Sequence, residues 1–191
     1  GYLVEKMRAD KSLREILQMV ALMPMAIPGI VLGLAYIFFF NAKDNPLNFI
    51  YATMAILVIN TVVHFYTVSH LSAITAVKKL DQEFESVSLS LKVPIYKMFF
   101  KITLPVCLPT VFDIFIYLFC NAMTTVSGVI FLYSYDTTLA SVSAIHLDEQ
   151  GDVAGAAAMA MLIVYISFVV RGLHTLVSTL LLKRTQAWRN I

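Results

Sequence analysis

What most constrains this chain is the spacing of its charges. Residues 16–40 run for 25 positions without Asp, Glu, Lys or Arg, and residues 49–77 run for 29. Residues 105–133 carry one charge, Asp113, and residues 153–182 carry one, Arg171. A helix needs about 20 apolar residues to cross the roughly 30 Å of hydrocarbon in a bilayer. Four such blocks in 191 residues leave no room for a soluble core. The runs are continuous rather than alternating, which selects helices over barrel strands. Composition agrees, with 14% of residues charged against roughly 25% in soluble domains. The expected fold is a single all-α polytopic membrane domain. Its spans lie near 16–40, 49–73, 105–133 and 153–182, with a polar segment at 78–104 and an outer loop at 134–152.

Basic residues set the orientation, because they are retained on the cytoplasmic side of a membrane. Lys6, Arg8, Lys11 and Arg14 precede the first span. Lys78, Lys79, Lys92, Lys97 and Lys101 lie in the polar segment, and Lys183, Arg184 and Arg189 follow the last span. These are 12 of the 14 basic residues, and all fall on one side of the four-span topology. Both ends of the chain and the 78–104 segment are therefore expected in the cytoplasm, with Trp188 as an interfacial anchor. The chain begins at Gly1 with no cleavable leader pattern and is expected to be a segment of a longer protein. Cys107 and Cys120, 13 residues apart on one helix, are about 20 Å from each other, too far for a disulfide. They read as small buried hydrophobes.

The polar segment carries most of the functional information. Glu83, Glu85, Lys92 and Lys97 are interleaved with Phe84, Leu89, Leu91, Tyr96, Phe99 and Phe100. Pro94 excludes a continuous helix, since it lacks an amide donor and restricts the residue before it. Two helices meeting near Lys92–Pro94 are expected. An amphipathic helix with exposed aromatics needs either a hydrophobic groove on a partner or the membrane interface itself.

The segment ends in Ile102-Thr103-Leu104-Pro105. It resembles the cytoplasmic coupling loop of permease subunits of binding-protein-dependent ABC importers. That loop reads Glu-Ala-Ala, three residues, Gly, nine residues, Ile-x-Leu-Pro. Counting back puts Lys92 at the family glycine and Ser86-Val87-Ser88 at Glu-Ala-Ala, with Glu85 one position early. Further stretches look most like permeases assigned to 2-aminoethylphosphonate import: Leu91–Pro94, Asn121–Ser127, Phe131–Ser134, Leu139–Val142 and Arg184–Trp188. Ferric-iron permeases are the next most similar group.

The resemblance implies a MetI-like helical bundle in the bacterial inner membrane, with a cytoplasmic coupling-helix loop. It implies docking on a cytoplasmic ATPase dimer through Glu83, Glu85, Ser86, Lys92, Pro94, Tyr96, Phe99 and Phe100. It further implies a second permease half, homologous or fused, and a periplasmic or lipid-anchored substrate-binding protein. The chain itself is not expected to be an enzyme. ATP and magnesium would be used by the partner ATPase, and no cofactor is expected on this chain. Membrane lipid is an expected contact, and nucleic acid is not.

Asp113 and Arg171 are the only charges inside the spans, and such residues face a cavity or one another. Each lies 12 residues from a cytoplasmic lysine, Lys101 or Lys183, so both fall at one depth. They read as a structural ion pair or as part of a translocation path. Asn121, Thr124, Thr125 and Ser127 form a polar stripe on the third span, available to a passing solute or bonded to their own helix. Pro24, Pro28, Gly29 and Gly33 kink and thin the first span. Gly155–Ala158 with Ala160 form a small-residue face on the fourth. His64, His70 and His174 lack metal-ligand spacing, so no metal site is expected. No nucleophile–base motif is present. A different class, a secondary transporter with an ion at Asp113, would require paired broken helices in an inverted repeat.

Overall fold

The structure, a computed structural model, describes residues 11–80 and 83–185. Its described residues form helices and no strands. Those that position the site are α1 (Lys11–Ala26), α2 (Gly29–Phe40), α3 (Met54–His64), α4 (Tyr66–Lys78), α5 (Glu83–Ser90), α6 (Ile95–Thr124), α7 (Ala140–Glu149) and α8 (Val153–Thr185).

Neither of the first two apolar blocks is one straight helix. Within the first, α1 and α2 meet at 102°. Pro28 stands at the corner with extended backbone (φ −57°, ψ 138°), and its missing amide prevents α1 from continuing. The expected kink is therefore a change of direction slightly beyond a right angle. Within the second, α3 and α4 meet at 57° around Phe65. No Pro or Gly marks that bend. Phe65 instead packs edge-on against His64 and Tyr117, with centroids 4.7 and 6.0 Å away.

The third block is displaced from its expected bounds. The helix starts ten residues before 105, at Ile95, and ends at Thr124 rather than near 133. Its 30 residues span about 45 Å. Residues Phe99–Thr103 are wound as a π-helix. Beyond Thr124 the chain turns extended at Thr125 (φ −75°, ψ 138°) and runs through tight turns to Tyr133. The outer loop is itself partly helical. It holds a short 3₁₀ turn, Tyr135–Thr137, and α7. Gly151 (φ 83°) closes α7, with the Asp152 amide on the Leu147 carbonyl and the Gly151 amide on the Asp148 carbonyl, the paired bonds of a Schellman turn. The Asp152 carboxylate then accepts the Gly155 amide at 2.9 Å and caps α8. Gly155 leaves room for that cap, because a Cβ there would collide with the Asp152 side chain.

The long helix α6 is the axis of the bundle. It packs against α3 and α4 on one side and α7 and α8 on the other, while α1 lies on α4 and α2 on α3. The buried core is small: Ile56, Leu57, Val129, Leu132 and Val142. It sits where α2, α3, α7 and the turns after Thr124 converge. Elsewhere large apolar side chains point outward, among them Phe38 and Phe168, each 78% exposed. In lipid that is the expected arrangement, since apolar contact with acyl chains is as favourable as contact between helices.

Candidate coupling segment and translocation path

The coupling segment folds as two helices joined by a tight turn. α5 stops at Ser90, and the Val93 amide donates to the Ser88 carbonyl at 2.9 Å. That bond requires the residue between, Lys92, to be left-handed, and Lys92 has φ 52°. Glycine is the usual occupant of this position because it has no Cβ to clash. Lys92 adopts the turn regardless, and Pro94 (φ −66°, ψ 143°) then starts α6. The turn and the proline act together; neither substitutes for the other.

The aromatic pair at the start of α6 divides. Phe99 and Phe100 are in edge contact at 5.2 Å, but consecutive helical residues point about 100° apart. Phe99 turns inward, half-buried, and lines a cavity together with Ala73, Ala76 and Val77 of α4. Phe100, 63% exposed, and Tyr96, 61% exposed, point outward. Phe99 is therefore half-buried, where the sequence placed it on the outward face. That face includes Phe84, Val87, Leu91 and Ile95, all exposed. Three of them recur at spacings of three and four along α5, a helical-face pattern that marks them in the sequence. Glu83, Ser86, Lys92 and Pro94 are exposed as well, and the side chain of Glu85 lies outside the described residues.

In the membrane-depth region, Asp113 meets His174, not Arg171. The His174 Nε2 lies 3.2 Å from the Asp113 Oδ1, and the Asp113 side chain is 60% exposed. The two atoms are close but make no hydrogen bond. Arg171, one turn earlier on α8, is exposed. The sequence places His174 one turn after Arg171, and this is the signal that identifies it.

The polar stripe is not midway along a helix. Asn121 and Thr124 lie at the end of α6, while Thr125 and Ser127 follow it in the turns. Asn121 donates to the Tyr117 carbonyl at 2.7 Å, and Thr124 to the Cys120 carbonyl at 3.1 Å. The Thr125 carbonyl accepts from Ser141 of α7 at 2.9 Å, and Ser127 is exposed.

Non-helical backbone at membrane depth must be satisfied inside the protein. Asn60 of α3, 1% exposed, does this by donating to the Gly128 carbonyl at 3.0 Å. On the other side Gly33 lies so close that a Cβ would sit 2.8 Å from that same carbonyl, and one on Gly29 would meet Ser127. The Gly29/Gly33 pair thus admits a turn of backbone rather than another helix. Asn60, the uncharged polar residue at the centre of this joint, was not among the sequence candidates. Its signal is a lone amide within an otherwise apolar run. Among the described residues no three His, Cys, Asp or Glu side chains gather as a metal site.

Residues 1–183 match the family described as binding-protein-dependent transport system inner membrane component. The chain is 30% identical over 163 residues to the ferric transport system permease protein FbpB of Actinobacillus pleuropneumoniae, covering 85% of this chain and 23% of that protein. It is 35% identical over 130 residues to the putative ferric transport system permease protein FbpB 1 of Haemophilus influenzae, covering 68% and 20%. The chain thus spans less than a quarter of the length of these relatives. Among solved structures, a bacterial ABC transporter involved in the import of the acidic polysaccharide alginate superposes with a TM-score of 0.72 at 14% identity. The superposition covers 93% of this chain and 69% of that one.

Proposed function

The chain belongs to the family of binding-protein-dependent transport system inner membrane components, and we propose that it is the translocating core of a permease whose segment 83–100 docks on a cytoplasmic ATPase. The fold is the MetI-like one of ABC importer permeases. Membership of this family replaces the secondary-transporter alternative. The observation that carries the docking role is the Lys92 turn. It joins α5 directly to the start of α6 and leaves Phe84, Val87, Leu91, Ile95, Tyr96 and Phe100 exposed. An apolar helical face of this kind fits a groove on a partner.

The mechanism follows from connectivity. Because α6 runs unbroken from Ile95 to Thr124, a push on the docking face is delivered along the bundle axis to the Asn60–Gly128 joint at its far end. Closure of two ATPases would rock this half against a second permease half, opening a path on the side where the binding protein delivers its solute. Asp113, Arg171, Asn121, Thr124, Thr125 and Ser127 are the candidate path residues. Both ends of the chain and the docking face lie on the ATPase side in this reading.

For the solute we propose 2-aminoethylphosphonate. The support is the local likeness of Leu91–Pro94, Asn121–Ser127 and Leu139–Val142 to such permeases, together with a membrane-depth region that offers charges of both signs to a zwitterion. Ferric iron is the second reading, favoured by the names of the relatives. The test is ATP hydrolysis by the full transporter in lipid, with its ATPase and binding protein. Stimulation by the phosphonate and not by ferric iron is expected. Stimulation by ferric iron alone would transfer the assignment to the second reading.

A further inference from the structure

We propose that the cleft between α4 and α6 binds one anionic phospholipid, with its phosphate at Lys79. The cleft has a volume of about 380 Å³ and is lined by Val68, Leu71, Ser72, Thr75, Lys79 and Thr110. Its polarity is graded along α4. Lys79, exposed, stands just past the end of the helix, beside Lys78. Thr75 and Ser72 follow one and two turns farther in, and Leu71 and Val68 close the inner end. From Lys79 to Val68 is 11 residues, about 16 Å along the axis. This order of cation, hydroxyls and hydrocarbon is the order of a phospholipid: phosphate, glycerol esters, acyl chain.

The donors are available. Among the described residues Lys79 has no carboxylate partner and no carboxylate lines the cleft. The hydroxyls of Ser72 and Thr110 have no partner among the described residues, whereas Thr75 is satisfied by the Leu71 carbonyl at 2.8 Å. Basic residues at the cytoplasmic end of a membrane helix attract anionic headgroups, and the apolar inner wall holds the chain. The cleft adjoins a second cavity between α4 and α6, lined in part by Phe99, with Ala76 and Thr110 common to both. A lipid there would therefore brace the helix that carries the docking face. The inference rests on the chain spanning the membrane and not on the choice of solute.

The test is native mass spectrometry of the whole transporter, delipidated and then offered phosphatidylglycerol or phosphatidylcholine. The wild type should retain phosphatidylglycerol selectively. Lys79→Gln should reduce that retention about fivefold and Ser72→Ala about twofold, with phosphatidylcholine retention unmoved. Lys78→Gln makes the same change of charge outside the cleft and should leave retention as in the wild type. Equal retention of the two lipids by the wild type would overturn the proposal, as would equal losses in Lys78→Gln and Lys79→Gln. Efficient cross-linking of a cysteine at Ser72 to the second permease half would also overturn it, by showing the cleft to be covered by protein. Full displacement by inorganic phosphate would show a simple anion site and equally overturn it.

Discussion

Replacing Lys92 isolates the energetics of the coupling turn. At φ 52° a side chain brings Cβ close to the following carbonyl, which costs roughly 1–2 kcal/mol relative to glycine. Glycine returns about 0.5–1 kcal/mol of this through its freer unfolded chain. Lys92→Gly should therefore stabilise the turn by up to about 1 kcal/mol, or about fivefold in its opening equilibrium. Lys92→Val adds a β-branched side chain at the same angle and should shift it about fivefold the other way. The reporter is the Val93 amide, bonded to the Ser88 carbonyl at 2.9 Å. Hydrogen exchange of a peptide spanning 88–94 in the assembled transporter should slow in the order Val, Lys, Gly. Equal exchange in all three, or faster exchange in Lys92→Gly, would refute the left-handed turn and the reasoning built on it.

Other perturbations separate the remaining parts. Asn60→Leu leaves the buried Gly128 carbonyl without its donor and should cost about 1–3 kcal/mol, read as a lowered melting temperature of the purified permease. Gly33→Ala, whose Cβ would lie 2.8 Å from the same carbonyl, should cost about 1–3 kcal/mol by overpacking. Combined with Asn60→Leu, it should be clearly non-additive in the same melting assay. Asp152→Ala removes the cap of α8 and should cost about 1 kcal/mol, whereas Asp152→Asn should recover most of it. His174→Ala should alter transport without changing ATPase docking, since His174 touches Asp113 and lies on α8, away from the docking face.

The class of the fold was legible because four long runs with at most one charge each admit few alternatives, and the coupling segment because Ile102–Pro105 terminates it. The bends were not legible to the same degree. Pro28 announces a break, but its 102° is set by Gly29 and Gly33 closing on a turn nearly a hundred residues later in the chain. The 57° bend at Phe65 has no local cause and arises from aromatic packing on Tyr117 of α6. The early end of α6 was hidden because uncharged residues continue through Tyr133 with no breaker before Gly128. There the tertiary partner, Asn60, decides. The half-burial of Phe99 was not legible because hydrophobicity marks both members of an adjacent pair, while helical geometry points them in different directions. The pairing of Asp113 followed the same logic: depth placed it near Arg171, but the helix face selects His174.

The docking face is tested most directly by comparing Tyr96→Ala/Phe100→Ala with Phe99→Ala in one experiment that records ATPase binding and melting temperature together. Exposed aromatic anchors cost on the order of 2 kcal/mol or more each when truncated at an interface. The double variant should therefore lose ATPase binding by on the order of 1,000-fold with its melting temperature intact. Phe99→Ala should lower the melting temperature and bind the ATPase far better than the double variant does. Undiminished ATPase binding by Tyr96→Ala/Phe100→Ala would contradict the assignment of segment 83–100 as the coupling element.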